Sequence, residues 1–251
     1  LVDEYMQTSA KDIYAAGDCC EIKNKITGKN VLAPYGDLAN LEGRVAGENI
    51  IKGNIAKFGG TIQTGICKLF DYGIGITGLS EEKAKEHGFD YAKVVNASPD
   101  KPGFMNGKVL ITKLLAEKTT GKILGAQVAG PGDVSKQLAI WATAITGNLS
   151  IHDMVNADFP YAPPFSLAID HSIATAHILE NKIKGYYEGI SSLELKEMVD
   201  RKEPVFILDV RGADEYSEMR LGIGETLIPL GHLRTRLNEL PKDKNTPIVT
   251  Y

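Results

Sequence analysis

Apolar and polar positions follow three different rhythms along the chain, and each rhythm predicts a different kind of structure. Residues 13–16, "IYAA", are a short apolar run closed by Gly17-Asp18, which predicts a buried strand with a turn at its carboxyl end. Leu1-Val2-Asp3 also has strand character. "EIKNKITGKNVLA" predicts a hairpin turning at Thr27-Gly28. A helix is predicted over residues 38–51, with Asp37 as N-cap candidate and Gly53 as its stop.

From Gly60 to Gly130 the rhythm becomes that of strands separated by turns: "QTGICKLFDYGIGITG", "YAKVVNAS" and "KVLITKLLAEKTTGKILGAQVAG". One short helix, capped by Ser80 and stopped at Gly88, interrupts them. Asp133 caps a helix ending at Gly147, and Ser150 with Asp153 forms a capping box for the next. A third helix is predicted over residues 164–179. A sheet followed by helices is an α+β arrangement.

Residues 180–191 are polar and glycine-punctuated and read as a linker. "SSLELKEMVD" follows as an amphipathic helix with a Ser191–Glu194 capping box, "VFILDV" as a buried strand, "LGHLRTRLNELP" as a helix and "PIVTY" as a strand. Helices alternating with buried strands predict a small parallel α/β unit. The chain opens and closes inside apolar runs, so a piece of a longer protein is expected.

Composition narrows the partners. The 251 residues are 43% hydrophobic and 24% charged, with a net charge of −4 and no Lys/Arg-rich run, which argues against nucleic acid. No apolar run is long enough to span a bilayer, and no signal peptide is expected. Three cysteines, Cys19, Cys20 and Cys67, make no disulfide framework and no CxxC pair, so a reducing, cytoplasmic location is expected. His87, His152, His171, His177 and His232 show no metal-ligand spacing.

The most specific chemistry lies in "TSAKDIYAAGD". Small residues let a ligand lie close, a glycine removes a Cβ, and the aspartate can accept hydrogen bonds from hydroxyls at the carboxyl end of a strand. Together with "APYGDLANLEGRVAGENI", the stretch resembles the second flavin-binding motif of the FAD-dependent pyridine nucleotide-disulfide oxidoreductases. The resemblance implies that Asp18 binds the ribityl chain, that Tyr35 and Gly36 offer backbone groups to the flavin pyrimidine, and that Gly17 and Ala39 belong to the same cofactor surface. The following helix points its positive N-terminus there. Glu42 stands where the family usually has glutamine.

"GIGITG", Gly73 to Gly78, matches the bare dinucleotide fingerprint, but the helix after it is short and almost wholly polar. Nucleotide binding is not expected there. Residues 58–181 resemble the family's dimerisation domain, which implies a homodimer. Within "ADFPYAPPFSLAID" the His-Pro pair and glutamate of glutathione-reductase-like members are absent. The Tyr-Ala-Pro-Pro-Phe form is similar to coenzyme A-disulfide reductases and persulfide-reducing relatives. Tyr161 is the catalytic candidate, as a phenol that donates to a leaving thiolate or bound sulfur; a packed aromatic is the alternative. Phe104-Met105-Asn106-Gly107 replaces the Tyr-Tyr-Pro-Gly stretch usual in coenzyme A-disulfide reductases.

Asp209-Val210-Arg211 and Glu215-Tyr216 resemble the first half of a rhodanese domain, whose nucleophilic cysteine is expected after Tyr251. The fold class expected is thus α/β and α+β: the end of a doubly wound FAD-binding domain (1–57), an α+β dimerisation domain (58–181), a linker (182–188) and part of a parallel α/β rhodanese domain (189–251). The function implied is flavin-dependent reduction of a disulfide or persulfide with NAD(P)H. An NADH oxidase or peroxidase, or a non-catalytic dimerisation scaffold, is the alternative. The resemblance implies that the redox cysteines of such an enzyme are expected outside this sequence.

Overall fold

A computed structural model describes all residues, 1 to 251. It divides into two units, Leu1–Tyr187 and Glu188–Tyr251.

The first unit starts irregularly. Residues 13–16 are extended but form no strand, and Leu1-Val2-Asp3 form none either. Tyr14 makes one antiparallel bridge, to Gln7, through Thr8 N–H to Ile13 O (2.8 Å) and Ala15 N–H to Met6 O (3.0 Å). No further strand lies beside this run to extend the ladder. The hairpin forms as the pattern predicts: β1 (Glu21–Lys23) and β2 (Asn30–Leu32) pair antiparallel, and Gly28, at φ 70°, closes the turn onto Asn24 O. Helix α1 (Gly36–Lys52) starts two residues earlier than predicted. Its N-cap is Tyr35, and Asp37 sits in the first turn instead, where its charge complements the helix dipole. Met6, Cys20, Ile22, Ala33 and Ala46 form the small core beneath α1. Asn49, 1% exposed, ties the flanking loops to it: its amide donates to Tyr5 O and Ala56 O, and its oxygen accepts from the N–H groups of Ile55 and Ala56.

Five antiparallel strands follow: β3 (Gly65–Leu69), β4 (Tyr72–Gly78), β5 (Tyr91–Pro99), β6 (Val109–Glu117) and β7 (Ile123–Gly130), in the order β3-β4-β7-β6-β5. Between β4 and β5 lies α2 (Glu81–Glu86), capped by Ser80 as predicted. After β7 come α3 (Val134–Thr146), capped by Asp133, α4 (Ile151–Met154), with the Ser150–Asp153 capping box, and α5 (His171–Ile183). Helices α3 and α5 cover one face of the sheet, where Leu114, Val128, Leu138, Trp141 and Leu179 are buried. Each such aliphatic side chain contributes about 1.5–3 kcal/mol by leaving water.

Gly73, Gly75 and Gly78 lie within β4, not in a strand-turn-helix junction. A Cβ on Gly75 would come within 2.5 Å of Leu138 Cδ2, and one on Gly73 within 2.9 Å of Val134 Cβ. These two glycines let α3 lie close on the sheet, which accounts for the fingerprint without a nucleotide. The third predicted helix begins at His171 rather than Pro164. Ahead of it a tight turn closes on Ala162 O, and the Asp170 side chain takes the Ser172 N–H as the N-cap. At its other end α5 continues to Ile183, into the predicted linker.

The second unit contains α6 (Ser192–Asp200) with its Ser191–Glu194 capping box, β8 (Phe206–Asp209), α7 (Ala213–Glu218), β9 (Thr226–Leu227) and β10 (Ile248–Thr250). The strands are parallel in the order β10-β8-β9. "LGHLRTRLNELP" is not one helix but two 3-10 turns, Leu230–Thr235 and Leu237–Glu239, separated by Arg236 at φ −118°. Ile207, Leu208 and Ile228 are its buried apolar residues. No helix of the protein is long and apolar enough to cross a membrane.

Candidate functional site

The residues predicted to hold a cofactor gather at one end of α1. Gly17 has φ 86°, a left-handed conformation that favours glycine. A Cβ there would lie 3.5 Å from Ala39 Cβ, so Gly17-Asp18 runs beside the first turns of α1. The Gly17 N–H donates to Glu42 Oε2 at 2.7 Å, and Glu42 is buried. Asp18 is exposed and its carboxylate has no hydrogen-bond partner. Tyr35 and Gly36 open the helix. The Tyr35 ring lies beside the start of β3, since a Cβ on Gly65 would meet its Cε1 at 3.4 Å, and no side chain caps the helix N-terminus.

This surface suits FAD. The free Asp18 carboxylate can accept hydrogen bonds from polyol hydroxyls, the uncapped N–H groups of α1 favour electron-rich or anionic oxygen, and Gly17 with Ala39 leaves room for close approach. Glu42 is the participant that pattern reading did not assign. Its signal is legible afterwards: Glu42, Ala46 and Asn49 are the buried residues of α1, so a carboxylate occupies the helix's inward stripe.

Cys19 is exposed and Cys20 buried, with their sulfurs 3.8 Å apart, hydrogen-bonded to each other and not joined in a disulfide. Burial, with help from Cys19 and Glu42, pushes the Cys20 thiol up to about 11, which keeps it protonated.

Tyr161 lies on a different segment. Its side chain is 56% exposed and its hydroxyl has no partner. It precedes a turn in which the N–H groups of Phe165 and Ser166 donate to Ala162 O (2.9 and 3.1 Å). Phe165 is also exposed. Behind the turn is a cavity of about 350 Å³, lined by Asn156, Asp158, Tyr161, Asp170, Ile173 and His177 among others. His171 is not available as an acid or base. It is fully buried, with Ser98 Oγ 2.7 Å from Nδ1 and Thr112 Oγ1 2.7 Å from Nε2, and burial lowers its pKa. It bridges α5 to β5 and β6. No group of three or more His, Cys, Asp or Glu side chains could hold a metal ion.

The sheet face opposite α3 and α5 is open. It forms a concavity of about 620 Å³ lined by Cys67, Ile74, Ile111, Lys113, Gln127 and Ala129. At its margin Glu81 accepts from Lys93 (2.5 Å), Lys113 and Tyr91 (3.2 Å). In the second unit Asp209, at the end of β8, is buried and takes a bidentate contact from Arg211 (Nη2 to Oδ2 2.8 Å, Nε to Oδ1 3.1 Å). Arg211 also stacks on Tyr251, 5.1 Å from the ring centre, and holds the Asp209 carboxyl below its ordinary range.

Residues 64–173 match the pyridine nucleotide-disulphide oxidoreductase dimerisation domain. The chain is 36% identical over 179 residues to a Pyrococcus furiosus protein named NAD(P)H sulfur oxidoreductase (CoA-dependent), a match covering 71% of this chain and 40% of that one. It is 36% identical over 170 residues to an NADH oxidase of Methanocaldococcus jannaschii, covering 66% and 37%. Among solved structures, a NAD-dependent persulfide reductase from A. fulgidus superposes with a TM-score of 0.90 at 42% identity, covering 99% of this chain and 44% of that chain. The chain therefore spans about two fifths of the length of these relatives.

Proposed function

We propose that the chain, whose residues 64–173 match the pyridine nucleotide-disulphide oxidoreductase dimerisation domain, is part of a flavin-dependent enzyme that reduces a persulfide or disulfide with NAD(P)H. The observation that carries this reading is the convergence of Gly17, the free Asp18 carboxylate and the uncapped α1 N-terminus on one surface suited to FAD. The likeness to sulfur and persulfide reductases supports the choice of substrate.

In the full-length protein Gly17, Asp18, Tyr35, Gly36 and Ala39 bind and orient the cofactor. Bound FAD supplies a two-electron carrier between nicotinamide and sulfur. The balance is one NAD(P)H and one proton consumed for each persulfide cleaved. The S–S bond breaks, and a thiol and hydrogen sulfide leave. Tyr161 donates its hydroxyl hydrogen bond to the departing sulfur, which it is free to do because nothing else in the chain engages it. Residues 58–181 pair two copies of the chain, a role supported by the open apolar face of the sheet. Residues 189–251 are the first half of a rhodanese-like domain, a reading supported by the parallel β10-β8-β9 order and the Asp209–Arg211 pair. Such a domain carries sulfane sulfur and suits the same chemistry.

The likeness to an NADH oxidase favours a second reading, in which oxygen is the acceptor. NAD(P)H consumption by the full-length protein under argon separates the two. Oxidation that starts only when a persulfide is added, with sulfide released, supports the proposal. Oxidation that needs air and ignores the persulfide rejects it. A full-length protein that takes up no FAD would leave only a scaffold role.

A further inference from the structure

The turn that follows Tyr161 is anchored by a buried charge. Asp170 is 2% exposed and receives four donors. Its Oδ2 accepts from Lys136 Nζ (2.9 Å) and Ser166 Oγ (2.9 Å), its Oδ1 from Ser172 N–H (2.9 Å) and Gln137 Nε2 (3.1 Å). Two of these donors, Lys136 and Gln137, belong to α3, and Ser172 opens α5. Gln137 and Ser172 are bonded to each other as well. Ser166 comes from the turn, and Lys136 Nζ also reaches the turn's Phe165 O at 3.4 Å.

Helices α3 and α5 are already held together by the apolar core, so the carboxylate is not needed to join them. A buried ion pair adds little net stability over an apolar contact, because both charges lose water. What this pair does that a leucine cannot is fix the turn's own polar groups, Ser166 Oγ and Phe165 O. The turn is stiff, since Pro163 and Pro164 preset its backbone. A stiff turn moves as a piece, so its anchor at residues 165–166 decides where Tyr161 and Phe165 stand.

We infer that Asp170 and Lys136 are positioning residues, which act through the 162–166 turn to set the Tyr161 hydroxyl for reaction at sulfur. The inference rests on the reading of Tyr161 as donor to the departing sulfur. The test uses the full-length flavoprotein with Asp170→Asn, Lys136→Met, Tyr161→Phe and the Asp170→Asn/Tyr161→Phe double variant. Flavin reduction by NAD(P)H and flavin reoxidation by glutathione persulfide are followed separately under argon. Asp170→Asn and Lys136→Met should leave reduction unchanged and slow reoxidation by roughly 10- to 100-fold, the scale of misplacing a catalytic group. The double variant should be no slower than Tyr161→Phe alone, and chymotrypsin should cleave at Tyr161 and Phe165 faster in both anchor variants. If Tyr161→Phe slows reoxidation while both anchor variants run at the wild-type rate, or if the double variant is slower by the product of the two effects, the positioning role is wrong and the tyrosine reading stands. If Tyr161→Phe itself has no effect, the tyrosine reading and this inference fall together. Should Asp170→Asn fail to fold, as reported by the emission of Trp141, Lys136→Met decides alone, because Lys136 is partly exposed.

Discussion

The main-chain N–H of Gly17 donates to the buried carboxylate of Glu42 at 2.7 Å. This bond joins the Gly17-Asp18 segment to α1, the two elements of the proposed cofactor surface. Glu42→Gln keeps an acceptor and should retain FAD as the wild type does. Glu42→Ala leaves the N–H without its partner, which costs about 1–3 kcal/mol. Titration of the full-length apoprotein with FAD should show weaker binding for the alanine variant only. Equal affinity in both would mean that the bond does not shape the site.

Glu81 gives the first unit an acid limit. Hydrogen bonds from Lys113 and then Lys93 lower its pKa from 4.5 to about 2. A carboxyl with a depressed folded value stabilises the fold above its unfolded pKa and loses that contribution as pH falls through the folded one. Glu81→Gln should therefore melt below the wild type at neutral pH, and the gap should close between pH 4.5 and about 2. The emission of Trp141, the protein's one tryptophan and fully buried, reports the transition. A gap that persists at the acid end would contradict the assignment.

The two adjacent cysteines should behave differently. Cys19 and Cys67 are exposed, whereas Cys20 is buried and its thiol is pushed up to about 11. Brief iodoacetamide treatment near neutral pH, read by peptide mass spectrometry, should label Cys19 and spare Cys20. Equal labelling of Cys20 would show that the core under α1 opens readily.

Removing Arg211 leaves the Asp209 carboxylate buried without its countercharge. Arg211→Met should lower the melting of the second unit seen by circular dichroism while the Trp141 transition stays in place, because Trp141 belongs to the first unit. Asp209→Asn in the same background should recover part of the loss. A joint shift of both transitions would argue against independent units.

Elements with long, unambiguous patterns were legible in the sequence. The strand stretches between Gly60 and Gly130, α3 with Asp133, and the Ser80, Ser150 and Ser191 caps follow from alternation and local hydrogen-bonding chemistry. Elements decided by distant partners were not. Residues 13–16 have strand composition but find only the Gln7–Tyr14 bridge. The start of α5 is set by Asp170, whose carboxylate is held by α3 residues more than thirty positions away. Helix α7 and strand β9 are too short to show a period. At the candidate site, Gly17 and Asp18 were readable from their motif, whereas Glu42 became assignable only when its bond to Gly17 was seen. Lys136 carries no local signal and Asp170 only that of an N-cap, because the rest of what they do is set by tertiary contacts.

The most direct test follows the flavin's visible absorbance in the full-length protein under argon. The account predicts a yellow protein that bleaches on addition of NAD(P)H and regains its colour when a persulfide is added, with sulfide released. A colourless protein that takes up no FAD, or a bleached one that recovers only when air is admitted, would contradict it.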